Sequence, residues 1–104
     1  MRVAVVGHVE WVEFARVERV PEPGQISHST ESFEEVGGGG AVAAAQLAKL
    51  AGSCDFLTAL GDDELGRRSR ERLEAGGVRV HAAPAGRTRR ALTLLDPSGE
   101  RTIV

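Results

Sequence analysis

Gly37-Gly38-Gly39-Gly40-Ala41-Val42-Ala43-Ala44-Ala45-Gln46-Leu47-Ala48-Lys49-Leu50-Ala51-Gly52 is the stretch whose reading decides the fold. Four glycines give way to a nearly unbroken run of small and apolar residues, which predicts a helix over 41–51. Gly52 stands where a left-handed residue ends a helix. A helix apolar all round needs cover on more than one side, and its alanines let the backbone come close to its neighbours. Before it, Val3-Ala-Val-Val6 is a β-branched run closed by Gly7, which predicts a buried, central, parallel strand. After it, Asp55–Leu60 reads as a second buried strand. Gly61-Asp62-Asp63 supplies a turn and an N-cap, where acidic side chains suit the positive end of a helix. Glu64–Ala75 is amphipathic, with Leu65 and Leu73 inward and an Arg/Glu outer face, and Gly76-Gly77 ends it. Val78–Val80 is a third strand. Strand and helix alternate, so the core is an open α/β sheet with parallel strands.

The remaining segments do not fit that sandwich. Residues 9–20 alternate without giving a cleanly apolar face, as in a strand of a thin, partly solvated sheet. Pro21-Glu-Pro-Gly24 is a turn, because Pro fixes φ and Gly supplies a positive one. Ile26–Val36 is mostly polar and reads as a second exposed strand pairing back on the first. Beyond the Pro84-Ala-Gly86 turn, Arg90–Asp96 and Arg101–Val104 form a hairpin about Pro97-Ser-Gly-Glu100. These four segments suggest a second small sheet. The chain stops on the apolar Thr102-Ile-Val104, and three parallel strands make a poor α/β sheet. The expectation is that another chain, or more of a longer protein, completes the core.

Length and composition bound the function. The 104 residues suit one domain with a modest core. With 15 acidic and 13 basic side chains the net charge is −2, which gives no basic field for nucleic acid or an anionic membrane. Cys54, the single cysteine, favours a reducing compartment, and no paired-Cys metal site is present. No apolar run reaches the length of a membrane span. A cytoplasmic location is expected, with no nucleic acid or membrane partner.

Chemistry concentrates at Gly37–Gly40. A glycine collar lets a ligand approach the backbone, and the helix start behind it offers unpaired N–H groups and a positive dipole end. A single glycine there would read as a strand-to-helix crossover; four in a row favour a ligand site for hydroxyls, phosphate or carboxylate. No Gly-Lys-Ser/Thr follows, so this is not a Walker A loop. Gly7-His-Val-Glu-Trp11 also lacks a dinucleotide fingerprint. His8, at a strand end, reads as a surface or satisfied histidine in preference to a pocket residue, and His28 and His81 read as solvated. Asp62 and Asp63 read as capping groups in preference to an acid–base pair. Arg67, Arg68, Arg70 and Arg72 alternate with Glu64, Glu71 and Glu74 as a salt-bridged face. Arg87, Arg89 and Arg90 form a cluster that suits an anionic ligand or plain solvent equally.

Six landmarks together resemble the ribokinase (PfkB) family of carbohydrate and nucleoside kinases. They are Val5-Val-Gly7, Pro21-Glu-Pro-Gly24, Gly37-Gly-Gly-Gly-Ala41, Ala59-Leu-Gly-Asp-Asp-Glu-Leu-Gly66, Gly76-Gly-Val78 and Leu95-Asp-Pro-Ser-Gly-Glu-Arg-Thr102. The resemblance covers essentially the whole chain. It implies the N-terminal portion of a ribokinase-like αβα core with a small β-sheet lid over a sugar site. Lid strands would lie at about 9–20, 26–36 and 90–104, and Gly37–Gly40 would form the pocket floor. It further implies a small polyhydroxylated substrate, ATP and Mg²⁺ as cofactors of the complete enzyme, and a homodimer through the lid.

The departures are specific. Where the family usually carries Asn and Asp after the first strand, this chain has Glu10 and Val12. Where its glycine motif continues Gly-Lys-Gly-Ala-Asn, this chain has Gly39 and Val42 in the Lys and Asn places. Substrate choice should therefore differ, because a polar site discriminates through its buried hydrogen bonds. Trp11 either faces a more aromatic substrate or packs the lid. The Gly-Ala-Gly-Asp segment that carries the family's general base and anion hole is not among residues 1–104. The chain alone is expected to be inactive, to contain no catalytic residue and to bind neither ATP nor Mg²⁺. A truncated, non-catalytic relative that binds a ligand or self-associates is the second reading.

Overall fold

A computed structural model describes residues 1–104. In chain order it contains β1 (Ala4–Val6), β2 (Glu10–Arg16), β3 (Glu31–Gly37), α1 (Gly39–Ala51), β4 (Cys54–Leu60), α2 (Glu64–Ala75), β5 (Val78–Pro84), β6 (Arg90–Leu95) and β7 (Arg101–Ile103). One sheet has the order β1-β4-β5 and the other β3-β2-β6-β7. The fold is mixed α/β. The chain divides into two compact units, Met1–Trp11 with Val36–Arg89, and Val12–Glu35 with Arg90–Val104.

The first unit is built on the parallel sheet, with Val5 opposite Phe56 and Phe56 opposite Val80. Strand alternation sends Cys54, Phe56 and Leu60 to one face, where they join Val9, Val78 and the helices' Ala41, Ala44, Ala48 and Leu73 in one cluster. Phe56 is the largest side chain of that cluster that is fully buried, and its burial contributes about 1.5–3 kcal/mol. The small residues Gly40, Ala41, Ala44 and Ala48 form the buried stripe of α1. Gly52 ends the helix with φ +90, its N–H donating to the Ala48 carbonyl at 2.9 Å. α1 is covered on one side here, and Val42 and Leu50 stay exposed. The inward residues of α2 are Gly66, Ser69 and Leu73, with Leu65 only half-buried. β5 runs to Pro84, four residues past the strand expected from sequence, because Leu57–Leu60 continue to pair with it.

The opposite face of the parallel sheet carries Ala4, Val6 and Leu57, all exposed, and a charged row in which Asp55 accepts from Arg79 Nε and Nη2 at 2.8 and 2.7 Å. His81 Nε2 lies 2.8 Å from the same carboxylate. His81 is therefore exposed but partnered, and the Arg79 guanidinium holds Asp55 well below the usual carboxylate range.

The second unit has a thin core of Val12, Val17 and Thr93. Phe14 and Phe33 stack at 4.8 Å with rings 9° from parallel. Arg16 pairs with Glu31, and Arg90 with Glu13. β6 and β7 pair antiparallel about a turn in which Asp96 accepts from the Ser98 and Glu100 amides. Residues 26–30 are not strand, and β3 begins only at Glu31. The preceding turn is closed by Gln25 N–H donating to Glu22 O, and by Glu22 N–H donating to the Gln25 side chain.

Candidate functional site

The site grows from a backbone crossing. A Cβ on Gly40 would stand 2.7 Å from the Gly7 carbonyl carbon, and one on Gly7 would stand 2.9 Å from Gly40 Cα. Two glycines are what lets the end of β1 pass the first turn of α1. The contact also brings His8 to the helix start, where its carbonyl accepts from Ala41 N–H at 3.2 Å.

The collar glycines then separate by what the chain itself demands of them. Gly40 is fixed by the crossing. Gly38, the N-cap, has φ +91, and a Cβ there would lie 3.0 to 3.2 Å from His8 Cδ2, O and Nε2. Gly39 is different. It has no positive φ, it is exposed, and its Cβ would meet only His8 Cε1 at 3.6 Å, an ordinary contact. Gly37 closes β3 and is half-buried. No side chain caps α1 and no acidic residue lies in its first turn. The Gly39 amide donates to His8 Nε2 at 3.4 Å, so the His8 ring lies over Gly38 and Gly39.

Among the other candidates, Glu10 is half-buried at the start of β2 and Val42 is 60% exposed on α1. Val12 is buried within the second unit. Trp11 is fully buried, with the guanidinium carbons of Arg68 and Arg72 at 4.4 and 5.2 Å from its ring. It thus packs under α2 and does not present an aromatic face to a ligand. The outer face of α2 divides accordingly: Arg67 pairs with Glu64 and Glu71, while Arg70 donates to the Val80 carbonyl. His8, read as a surface or satisfied histidine, is both exposed and bonded, through its Nε2, to the Gly39 amide.

At the start of α2 the chain supplies its own ligands. Asp63 Oδ1 accepts from Gly66 N–H at 2.8 Å and from the Thr88 hydroxyl at 2.6 Å. Its Oδ2 accepts from Thr88 N–H at 2.8 Å. These bonds, with the Thr88 hydroxyl first, hold the Asp63 carboxyl below its ordinary value. Thr88 Oγ1 in turn accepts from Gly61 N–H at 3.2 Å. Thr88 is buried between the exposed Arg87 and Arg89, and sequence alone drew notice only to the arginines. A concavity of about 580 Å³ lies here, at the carboxyl ends of β4 and β5. Of its acidic groups, Asp63 is bound to Thr88 and Glu64 to Arg67, while Asp62 is exposed. No three His, Cys, Asp or Glu side chains converge to hold a metal.

Comparison with known proteins gives one consistent answer. The pfkB family carbohydrate kinase domain matches residues 1–104. An ATP-dependent ribose-1-phosphate kinase of Halopiger xanaduensis is 34% identical over 107 residues, covering 100% of this chain and 36% of that protein. The structure of ribokinase from Cryptococcus neoformans in complex with ADP superposes with a TM-score of 0.84 at 32% identity, covering 99% of this chain and 32% of the other. Arabidopsis thaliana ribokinase complexed with ribose and ATP gives 0.76 at 29% identity, covering 99% and 35%. The chain thus spans about a third of the length of the relatives it matches. Crossing, collar and αβ order together with these matches place it plainly: the chain belongs to the pfkB family of carbohydrate kinases.

Proposed function

We propose that this chain is the sugar-binding portion of a cytoplasmic ATP-dependent carbohydrate or nucleoside kinase, which in its complete form transfers the γ-phosphate of ATP to a substrate hydroxyl with Mg²⁺. The observation that carries the reading is Gly39. Nothing in the chain's own packing requires glycine there, yet the position lies exposed beside helix-start amides, so the missing side chain serves something from outside. A polyhydroxylated ligand fits, because hydroxyls both accept from such amides and donate to carbonyls. Gly37–Gly40 and Glu10 contact the substrate, while Val12 and Val42 shape selectivity by removing polar contacts. The ribose in the Arabidopsis structure supports this class.

The test is an amide NMR titration of the 104-residue chain with ribose. Shifts at residues 38–41 are expected. Unmoved collar amides, or shifts spread evenly over the surface, overturn the reading. The same chain with ribose, ATP and Mg²⁺ should release no substrate-dependent ADP, since phosphoryl transfer depends on groups that position and neutralise the phosphates.

The strands of the second unit serve as a lid and as the contact of a homodimer. Support comes from the sheet-edge strands β3 and β7 and from the exposed Phe33, Leu92, Ile103 and Val104. Sedimentation at high micromolar concentration should show a dimer; a monomer there would refute the assembly.

A further inference from the structure

Resting on the sugar-binding reading, we propose that His8 is the side chain that discriminates among ligands at the glycine collar. It would supply, from the segment that follows β1, the polar group that position 39 lacks. Three observations converge. The ring lies over Gly38 and Gly39, with Cδ2 and Nε2 at 3.0 and 3.2 Å from where a Gly38 Cβ would stand and Cε1 at 3.6 Å from a Gly39 Cβ. Nε2 accepts the Gly39 amide hydrogen, which ties the ring to the collar. His8 is nevertheless exposed.

The chemistry follows from the first bond. An imidazole nitrogen that accepts an N–H carries no proton, so in the neutral ring the proton sits on Nδ1. The exposed ring beside the collar therefore carries one N–H donor, and a backbone bond fixes the ring's orientation. That donor suits an oxygen of the ligand, whether hydroxyl or phosphate, and rejects an analogue that places a carbon there. The ring also accounts for Gly38, where a Cβ would press on it at 3.0 to 3.2 Å.

The experiment has two parts on the 104-residue chain. In the first, the ring nitrogens of His8 are observed by long-range ¹H–¹⁵N correlation at neutral pH. The Nδ1–H tautomer is expected, and a dominant Nε2–H tautomer overturns the proposal whether or not any sugar binds. In the second, ribose, ribose-1-phosphate and 1-deoxyribose analogues are titrated into the wild type, His8→Ala and His8→Gln. His8→Ala should weaken ribose binding about tenfold with an unchanged melting temperature, and it should narrow the spread of affinities among the three ligands. His8→Gln, which keeps an acceptor and a donor, should restore most of both. Wild-type collar amides that shift with ribose while His8→Ala binds and ranks the ligands unchanged would overturn the role of His8 and leave the sugar reading standing. Ribose that moves no collar amide overturns the sugar reading and this proposal with it.

Discussion

The two helices of the first unit begin in opposite ways. α2 starts on Asp63, whose carboxylate takes the Gly66 amide and both donors of Thr88, while Glu64 adds negative charge to the first turn. α1 starts on Gly38, with no side-chain cap and no acid in its first turn, and its Gly39 amide meets only an imidazole nitrogen at a long 3.4 Å. Helix starts leave up to four amides to satisfy. The start of α2 is tied to acidic and hydroxyl side chains, whereas at α1 the Gly39 and Ala41 amides meet only His8, at 3.4 and 3.2 Å, beside the exposed Gly39. One start is held by side chains; the other is the one on which the proposed ligand reading rests. Asp63 caps its helix, as the capping reading of Asp62-Asp63 expected.

The largest expected effects come where the two starts are alike, in glycines that face backbone. Gly66→Ala would place a Cβ 2.1 Å from the Gly61 carbonyl oxygen, and Gly40→Ala one 2.7 Å from Gly7. Neither neighbour is a flexible side-chain end, so each substitution should cost about 3 kcal/mol or more and abolish a cooperative melt. If Gly40→Ala melts like the wild type, the crossing is not what holds the collar and the contrast between the starts collapses.

A smaller effect should appear at α2 alone. Thr88→Val leaves the Gly61 amide without its acceptor and removes the hydroxyl from Asp63, at a cost of about 1–3 kcal/mol. Asp63→Asn sharpens this through pH. The folded carboxyl is depressed below its unfolded value of about 3.9, so its contribution is complete above that value and is lost as pH falls through the folded one. Melts of Asp63→Asn and wild type should therefore differ by a constant amount at pH 7 and pH 5, and the difference should shrink steadily as pH falls below about 4. A difference that persists unchanged at pH 3 would mean that charge on Asp63 contributes nothing to the start of α2.

Much of this was legible in the residues. Gly52 as a helix stop, a cap within Asp62-Asp63 and the order of helices and strands are local signals that the structure bears out, while the bounds of β2, β3 and β5 differ from those expected. What stayed hidden depends on residues far apart in sequence. Thr88 reaches Asp63 across 25 positions and His8 reaches Gly39 across 31, and no spacing rule marks either pair. Trp11 looked available because β2 alternates without a clean face; only the approach of Arg68 and Arg72 shows that it is covered. The four glycines looked equivalent for the same reason. Their reasons differ through partners, Gly7 for Gly40 and His8 for Gly38, that the run itself does not contain.

Gly39→Ala should have the smallest effect on the fold, and it separates the two helix starts most sharply. The position has no positive φ, and the new methyl would sit 3.6 Å from His8 Cε1, within ordinary contact. Alanine also restricts the unfolded chain more than glycine does and favours helix, which together are worth up to about 1 kcal/mol in an unstrained position. At the first residue of α1 the gain should be less, so the melting temperature should hold or rise slightly. Ribose affinity should fall, because the methyl enters the surface that a ligand must reach to meet the helix-start amides. A stable variant with weakened binding is the signature of a residue kept for a partner. A destabilised Gly39→Ala with unchanged ribose affinity would instead make position 39 part of the crossover, and the collar would then differ from the start of α2 only in using backbone where the other uses a carboxylate.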